Sequence, residues 1–536
     1  MQEKMISLQL VAFLLLIPLI NANHTCSPPP CQCFSETTMI CSDDHMKALP
    51  EHIPSQIKTL IVVASGISKL VSRLNSTLTK LVLLNNQVHT ISPSTFEGMV
   101  GLEELEISGS PLMSLETGTF DKQENLTKLF LNNNKLRTLF PGIFDSLEKL
   151  EVLQLKGNVL SSINGPLFSK LYNLQQLDLS FNYLSSIDAE QLSGLNRLKV
   201  LHLDLNQISS LPADSFNANP QLKTLSLRGN KIIWLPRGIF AQLNNLEELN
   251  LRDNKIEELT TGLFPTCLKR LNLKENALDR LNSTTFDGLQ CLTHLDLSQN
   301  KISQLSSDLF QNLTSLQHLD MSENHLVEIP STFFKSLSLI KVIHLQKNKL
   351  RSIEDDLFSE QEMMSQLYLS ENSLQSVPYG FFDPLDYQGL VQLQGNPWHC
   401  DCTLQYLYEW LNYSGNSLEN LSQISCASPE PLKGRSLISL DKEQLVCGNN
   451  RSSSTTSTIS LETIEMTSNT TTTTRKECTL QEANGAISIQ CKLTTCPHMK
   501  LEVHFHSPDG RNVSYSMEKM WPQNYQCFNT TVTLTL

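Results

Sequence analysis

The chain has 536 residues, 40% of them apolar, with 54 acidic and 41 basic side chains and a formal net charge of −13. That balance argues against nucleic acid or an anionic membrane as the main partner, because both call for a basic face. Fourteen cysteines, falling in even groups, suit an oxidising compartment. Residues 1–22 carry Lys4, an apolar run from Val11 to Ile20 and then Ala22, the pattern of a signal peptide cleaved near Ala22. No later stretch approaches the roughly eighteen apolar residues of a spanning helix, so the expectation is a secreted protein without membrane insertion. Residues 23–54 hold Cys26, Cys31, Cys33 and Cys41 and are expected to form a cysteine-rich N-terminal cap.

Residues 55–395 repeat one frame, Leu-x-x-Leu-x-Leu-x-x-Asn, as in Leu126, Leu129, Leu131 and Asn134. The closing position is Asn86, Ser110, Asn134, Asn158, Asn182, Asn206, Asn230, Asn254, Asn276, Asn300, Asn324, Asn348 and Asn372, in steps of 24 residues except for 22 between Asn254 and Asn276. Looser copies at Ile57, Leu60, Val62 and Ser65, and at Val391, Leu393 and Asn396, bring the total to 14–15 units. In Leu-x-Leu the alternation is that of a short strand with apolar side chains inward. One such strand cannot bury its face alone, whereas stacked copies form a parallel sheet, and the Asn amide can satisfy backbone groups where the chain leaves the strand. Ten residues after the closing position comes a second apolar mark, from Phe96 through Phe144 and Phe240 to Phe382, with Leu192 filling one gap. The frame resembles the leucine-rich-repeat family. The resemblance implies an α/β solenoid, a horseshoe with a parallel concave β-sheet, disulfide-capped at both ends.

In that frame the residues six, four and two before each closing Asn face outward on the concave side. They include Glu104, Glu106, Lys128, Phe130, Gln154, Lys156, Asp178, His202 and Asp204 near the N-terminus. In the middle come Arg228, Arg252, Arg270 and Lys274, then His294 with Asp296, His318 with Asp320, His344, and Tyr368. A basic stripe beside a His/Asp ladder makes a mixed-charge recognition surface, on which charge orients a partner more than it supplies affinity. Repetition alone sets like residues side by side, so the His/Asp pairs favour a cross-strand polar ladder over a metal site. No cofactor is expected. Eleven glycosylation sequons begin at Asn23, Asn75, Asn125, Asn282, Asn312, Asn412, Asn420, Asn450, Asn469, Asn512 and Asn529, and none occupies a concave slot.

Cys267 and Cys291 each lie nine residues before a closing Asn. They share a slot in adjacent coils, and stacking at roughly 5 Å falls inside the window of about 4.4–6.8 Å that a disulfide tolerates between Cα atoms. An inter-repeat bridge is expected. Residues 396–448 carry Cys400, Cys402, Cys426 and Cys447 and are expected to cap the far end. Resemblance to leucine-rich-repeat caps implies the pairings Cys26–Cys33, Cys31–Cys41, Cys400–Cys426 and Cys402–Cys447. Residues 449–477 are rich in Ser and Thr, too poor in apolar side chains for a core, and are expected to be a linker. Residues 478–536 regain alternation and hold Cys478, Cys491, Cys496 and Cys527, whose three possible connectivities spacing leaves open. A small disulfide-linked β module is expected there.

Catalysis finds little support. The string His325-Leu326-Val327-Glu328 matches a zinc carboxypeptidase motif, yet Leu326 and Ile329 are inward residues of the repeat itself, and a third ligand has no place in this architecture. The far cap runs Asn396-Pro397-Trp398-His399-Cys400-Asp401-Cys402, then Leu404, Tyr406, Leu407, Trp410, Leu411, Leu432-Lys433-Gly434 and Glu443-Gln444-Leu445-Val446-Cys447. With the tail's Cys478, Cys491, Cys496, Trp521 and Cys527 in the same order, it resembles the large regulatory subunits of carboxypeptidase N. That resemblance implies a non-catalytic plasma glycoprotein that binds and stabilises a separate zinc carboxypeptidase subunit. The alternative is a secreted or shed adhesion or ligand-binding protein resembling platelet glycoprotein V.

Overall fold

A computed structural model describes residues 30–70, 77–384, 390–414 and 421–447, and the backbone of six strands between 466 and 535. The chain divides into two compact units, Met1–Cys447 and Gly448–Leu536. The first is a solenoid. An antiparallel hairpin, Cys31–Ser35 with Thr38–Cys41, starts the sheet. Fifteen parallel strands follow, from Thr59–Val63 to Leu390–Gln392, each hydrogen-bonded to the next at equivalent repeat positions. Most are three residues long, with the middle one buried, as in His294–Asp296 around Leu295.

The asparagines fasten each coil to the one before. Asn206 accepts from the Leu184 N–H at 3.0 Å and donates to the carbonyls of Leu179 and Leu203 at 3.0 and 3.1 Å. The same triad recurs from Asn158 onward, for instance at Asn324 with Ile302, Leu297 and Met321. Serine imitates it incompletely. The buried Ser110 hydroxyl finds no partner among the described residues, and the Ser110 N–H itself donates to Asn134. On the convex side the phenylalanines are buried throughout, and Phe96, Phe120, Phe144 and Phe168 stack with ring centroids 6.2–6.3 Å apart. The chain there is mostly turns, with one short 3-10 segment at Pro93–Phe96.

The 22-residue coil keeps its strand in register, Glu248 opposite Arg270 and Arg270 opposite His294. Its two missing residues come out of the stretch between Phe264 and Leu268, which lacks the inward leucine that neighbouring coils supply as Leu243 and Leu289. Phe264 is accordingly 8% exposed, against 0–1% for the other phenylalanines of its column. Cys267 lies within this shortened stretch and Cys291 in the coil after it, and here the expected bridge is not formed: both thiols are free and exposed. Both cysteines lie on turns ahead of the strands Arg270–Asn272 and His294–Asp296, where no strand pairing fixes how their side chains meet, and a disulfide needs Cβ atoms about 3.8 Å apart and converging.

Both ends are closed by bridges and buried rings. Cys31 pairs with Cys41, Cys400 with Cys426 and Cys402 with Cys447, and Cys33 is also disulfide-bonded, while Cys26 lies outside the described residues. Trp398 is fully buried, and the helix Gln405–Ser414 lays Leu407 and Leu411 over the last coil. Trp410 stacks on Phe382 at 4.3 Å, and the Tyr406 hydroxyl donates to Asp383 while accepting from the Phe382 N–H. In the second unit, Cys478–Ala483, Ala486–Leu493 and Thr530–Thr535 form one antiparallel sheet in which Cys478 stands opposite Cys491. Met466–Thr467, Met499–His506 and Asn512–Lys519 form another. The Met466–Thr467 strand falls within the stretch expected as linker. Cys496 and Cys527 lie outside the described residues, as do the sequon asparagines Asn23, Asn75, Asn420, Asn450, Asn469 and Asn529.

Candidate recognition site on the concave sheet

Parallel register arranges the outward residues into three columns. The first runs Glu248, Arg270, His294, His318; the middle one Asn250, Asn272, Asp296, Asp320, His344, Tyr368. The third, two residues further along each chain, holds Arg252, Lys274, Ser298, Ser322 and Gln346. Arg228 lies one coil before Arg252 and is exposed. Glu248, Arg270, the two His/Asp pairs and His344 line one open depression of about 560 Å³; Arg228, Arg252, Lys274 and Tyr368 stand outside it.

The middle column has a local structural job. Asn250 and Asn272 accept from the N–H two residues ahead, that of Arg252 at 3.1 Å and of Lys274 at 3.0 Å. Asp296 and Asp320 do the same for Ser298 at 3.0 Å and Ser322 at 2.9 Å, and each also takes the serine hydroxyl at 2.6 Å. The strand is too short to satisfy that N–H by pairing, so a short side-chain acceptor is favoured there. The rings follow from register too. His294 and His318 have centroids 4.3 Å apart, and His344 lies flat on Tyr368 at 4.1 Å and 11°.

The charge pattern differs from its outline in sequence. Arg252 pairs with Glu275 at 3.3 Å and Arg270 with Glu248, so two of the four members of the basic stripe are neutralised by their own neighbours, while Arg228 and Lys274 form no ion pair among the described residues. Asp296 and Asp320 form no ion pair among the described residues. Burial raises the Asp296 pKa; Ser298 and Lys274 oppose the rise, and Asp320 adds to it. Burial lowers His294, with Arg270 adding to the effect, and lowers His318, with His294 and His344 adding. Near the N-terminus burial likewise raises Glu106, while Glu104 lies between Lys80 and Lys128 at 2.5 and 3.8 Å.

The depressed histidines predict an acid-side loss of stability. Across the window below the ordinary value of 6.5 the unfolded chain binds protons that the folded chain resists, so unfolding free energy falls as pH falls. The urea midpoint is expected to drop between about pH 7 and pH 5.5, and to drop less in His318→Gln. An equal drop in both chains would show that other groups carry the effect.

Several contributors were not legible beforehand, among them Glu275, Ser298 and Ser322. Beyond the concave face, the turn after the strands exposes Phe181, Tyr183, Ile233 and Trp234. Phe181 stands in the left-handed region at φ 57°, with the Lys156 ammonium 5.2 Å from its ring centre. Among the sequon residues, Asn125, Asn282 and Asn412 are exposed and Asn312 is partly exposed, all off the concave columns. His325 and Glu328 are exposed on either side of buried Leu326.

A parallel-sheet solenoid of fifteen coils closed by an asparagine ladder is a leucine-rich-repeat horseshoe. The chain belongs to the leucine-rich-repeat family: the model described as Leucine rich repeat matches residues 76–136, 101–160, 124–184, 158–208, 173–232, 196–256, 266–326 and 322–374, and a second model of the same description matches 245–271. It is similar to carboxypeptidase N subunit 2 of Homo sapiens, 32% identical over 159 residues and covering 27% of each chain. The Mus musculus protein is 31% identical over 152 residues, 27% of this chain and 28% of that one. A phospholipase A2 inhibitor of Gloydius brevicaudus siniticus is 44% identical over 55 residues, 10% of this chain and 17% of that one. The matches thus span about a quarter or less of these relatives. Among solved structures, the Toll–Spatzle complex of Drosophila superposes with a TM-score of 0.65 at 22% identity, over 74% of this chain and 57% of that one. A Leptospira interrogans leucine-rich-repeat protein gives 0.59 at 26% identity, over 70% and 92%. These two likenesses concern the fold. Among the described residues, no helix is long and apolar enough to cross a membrane.

Proposed function

We propose that this chain is a secreted, non-catalytic binding subunit that holds and stabilises a zinc carboxypeptidase in plasma. The observation that carries the reading is the concave centre, where carboxylates, imidazoles and a tyrosine are pinned in register on a rigid sheet. Such a preorganised polar surface is suited to recognising a partner. Two of the similar proteins point the same way by name, one being a subunit of an enzyme and another an inhibitor of one. Stabilisation follows from mass action: a subunit that binds only the folded enzyme lowers its unfolded population by RT ln(1 + [L]/Kd), about 2.7 kcal/mol at a hundredfold excess over Kd. Purification of the native protein from plasma, with mass spectrometry and an assay for C-terminal Lys or Arg release, is expected to yield a co-purifying carboxypeptidase. Its absence would overturn the reading. A second reading, an adhesion or ligand-binding ectodomain, is favoured by the exposed Phe181, Tyr183, Ile233 and Trp234. It predicts a cell-surface protein in the same eluate.

A further inference from the structure

The aspartates at 296 and 320 carry a charge that their local role does not need. Asn250 and Asn272, in the same column, cap the N–H two residues ahead with a neutral amide. Asparagine would therefore serve the backbone at 296 and 320 as well. The charge also comes at a cost, for Asp296 stands in register with Asp320 on adjacent strands, where like charges directly opposite destabilise. Both carboxylates are partly buried, and burial penalises the ionised form of Asp296. A device that costs stability and adds nothing to the scaffold points to a ligand.

The chemistry of that ligand follows from what remains unfilled. The Oδ1 atom of each aspartate is taken by Ser298 or Ser322, whereas the Oδ2 atoms have no donor among the described residues. The arginines nearby are committed, Arg252 to Glu275 and Arg270 to Glu248, and Lys274 offsets Asp296 only in part. The depression thus presents two carboxylates on adjacent strands, which pack about 4.8 Å apart, bordered by the His294 and His318 rings in the adjoining column and, next along their own column, by His344, itself backed by Tyr368. An ammonium would meet this as a point charge. A planar guanidinium offers two N–H edges to the two carboxylates and a face to the rings.

We propose that the concave depression is an arginine-binding subsite for a protein partner, the guanidinium bridging Asp296 and Asp320 against the imidazole rings. The proposal deepens the reading of this face as the partner-binding surface and rests on it. The test uses the full glycosylated chain, immobilised, and three peptides identical except for a central arginine, citrulline or glutamate. Citrulline keeps the shape of arginine and removes the charge. Arginine is expected to bind at least about tenfold tighter than citrulline. In the Asp296→Asn/Asp320→Asn chain that preference is expected to vanish while the cooperative melt is retained, because asparagine keeps the cap. Equal binding of arginine and citrulline, tighter binding of glutamate, or a preference that survives the double substitution would each overturn the subsite. Co-purification separates this from the enzyme reading. A carboxypeptidase recovered equally with wild-type and doubly substituted chains leaves that reading standing and rules out the subsite as its dock. Recovery of no carboxypeptidase with the wild type sinks that reading, while the peptide series still decides the subsite.

Discussion

Replacing Asn206 by alanine is expected to destabilise the solenoid by about 3 kcal/mol, out of proportion to the few atoms removed. The side chain is 6% exposed and sits between two coils, accepting from the Leu184 N–H and donating to the Leu179 and Leu203 carbonyls. Alanine strands those backbone groups in an interior where each unmet hydrogen bond costs roughly 1–3 kcal/mol. Aspartate at the same position is expected to be worse than alanine, because it keeps the acceptor, loses both donors and buries a charge. Urea unfolding followed by intrinsic fluorescence measures both. Asn245, an exposed asparagine whose amide donates to the Pro220 carbonyl, is the control, and its alanine variant should fall within about 0.5 kcal/mol of wild type. Equal effects at 206 and 245 would refute the view of the ladder as an inter-coil fastening.

Phe144→Ala is expected to cost about 4 kcal/mol, the larger of the two effects. Phe144 is fully buried between Phe120 and Phe168, 6.3 Å from each, so its removal opens a void that neither neighbouring coil can collapse into without breaking its own stack. Phe140, four residues earlier, is 52% exposed, and its alanine variant should change stability by less than about 0.5 kcal/mol. Because each coil contacts mainly its neighbours, the loss should surface first as local opening, read as faster hydrogen exchange or proteolysis in the coils around residues 120–168. Uniform loss of protection over all fifteen coils would instead show that the solenoid melts as one unit.

The contrast between Phe140 and Phe144 marks how far the sequence reaches. Periodicity alone assigns Phe144 to the core, Leu131 to the inward face and Asn134 to the ladder, because a solenoid makes position within the repeat nearly equivalent to position in space. The same logic placed His294, Asp296, His318 and Asp320 side by side, and register confirms those neighbours. It failed for Cys267 and Cys291. A shared slot in the repeat says nothing of whether two side chains on turns converge, and these remain free.

What the sequence by itself determined is thus the architecture, the identity of the inward and outward residues, and which residues are neighbours across coils. Leucine and asparagine recurring at fixed steps leave one economical way to bury the first and satisfy the second. Only the tertiary structure decided the sign of the concave centre. Of the basic stripe Arg228, Arg252, Arg270 and Lys274, Glu275 and Glu248 neutralise Arg252 and Arg270, while Asp296 and Asp320, which accept from serines but form no ion pair among the described residues, supply unspent negative charge. Charge pairing depends on where long side chains point, on local burial and on which acceptors are already engaged. A repeat frame specifies the position of a side chain's root and leaves its partner to the folded surroundings.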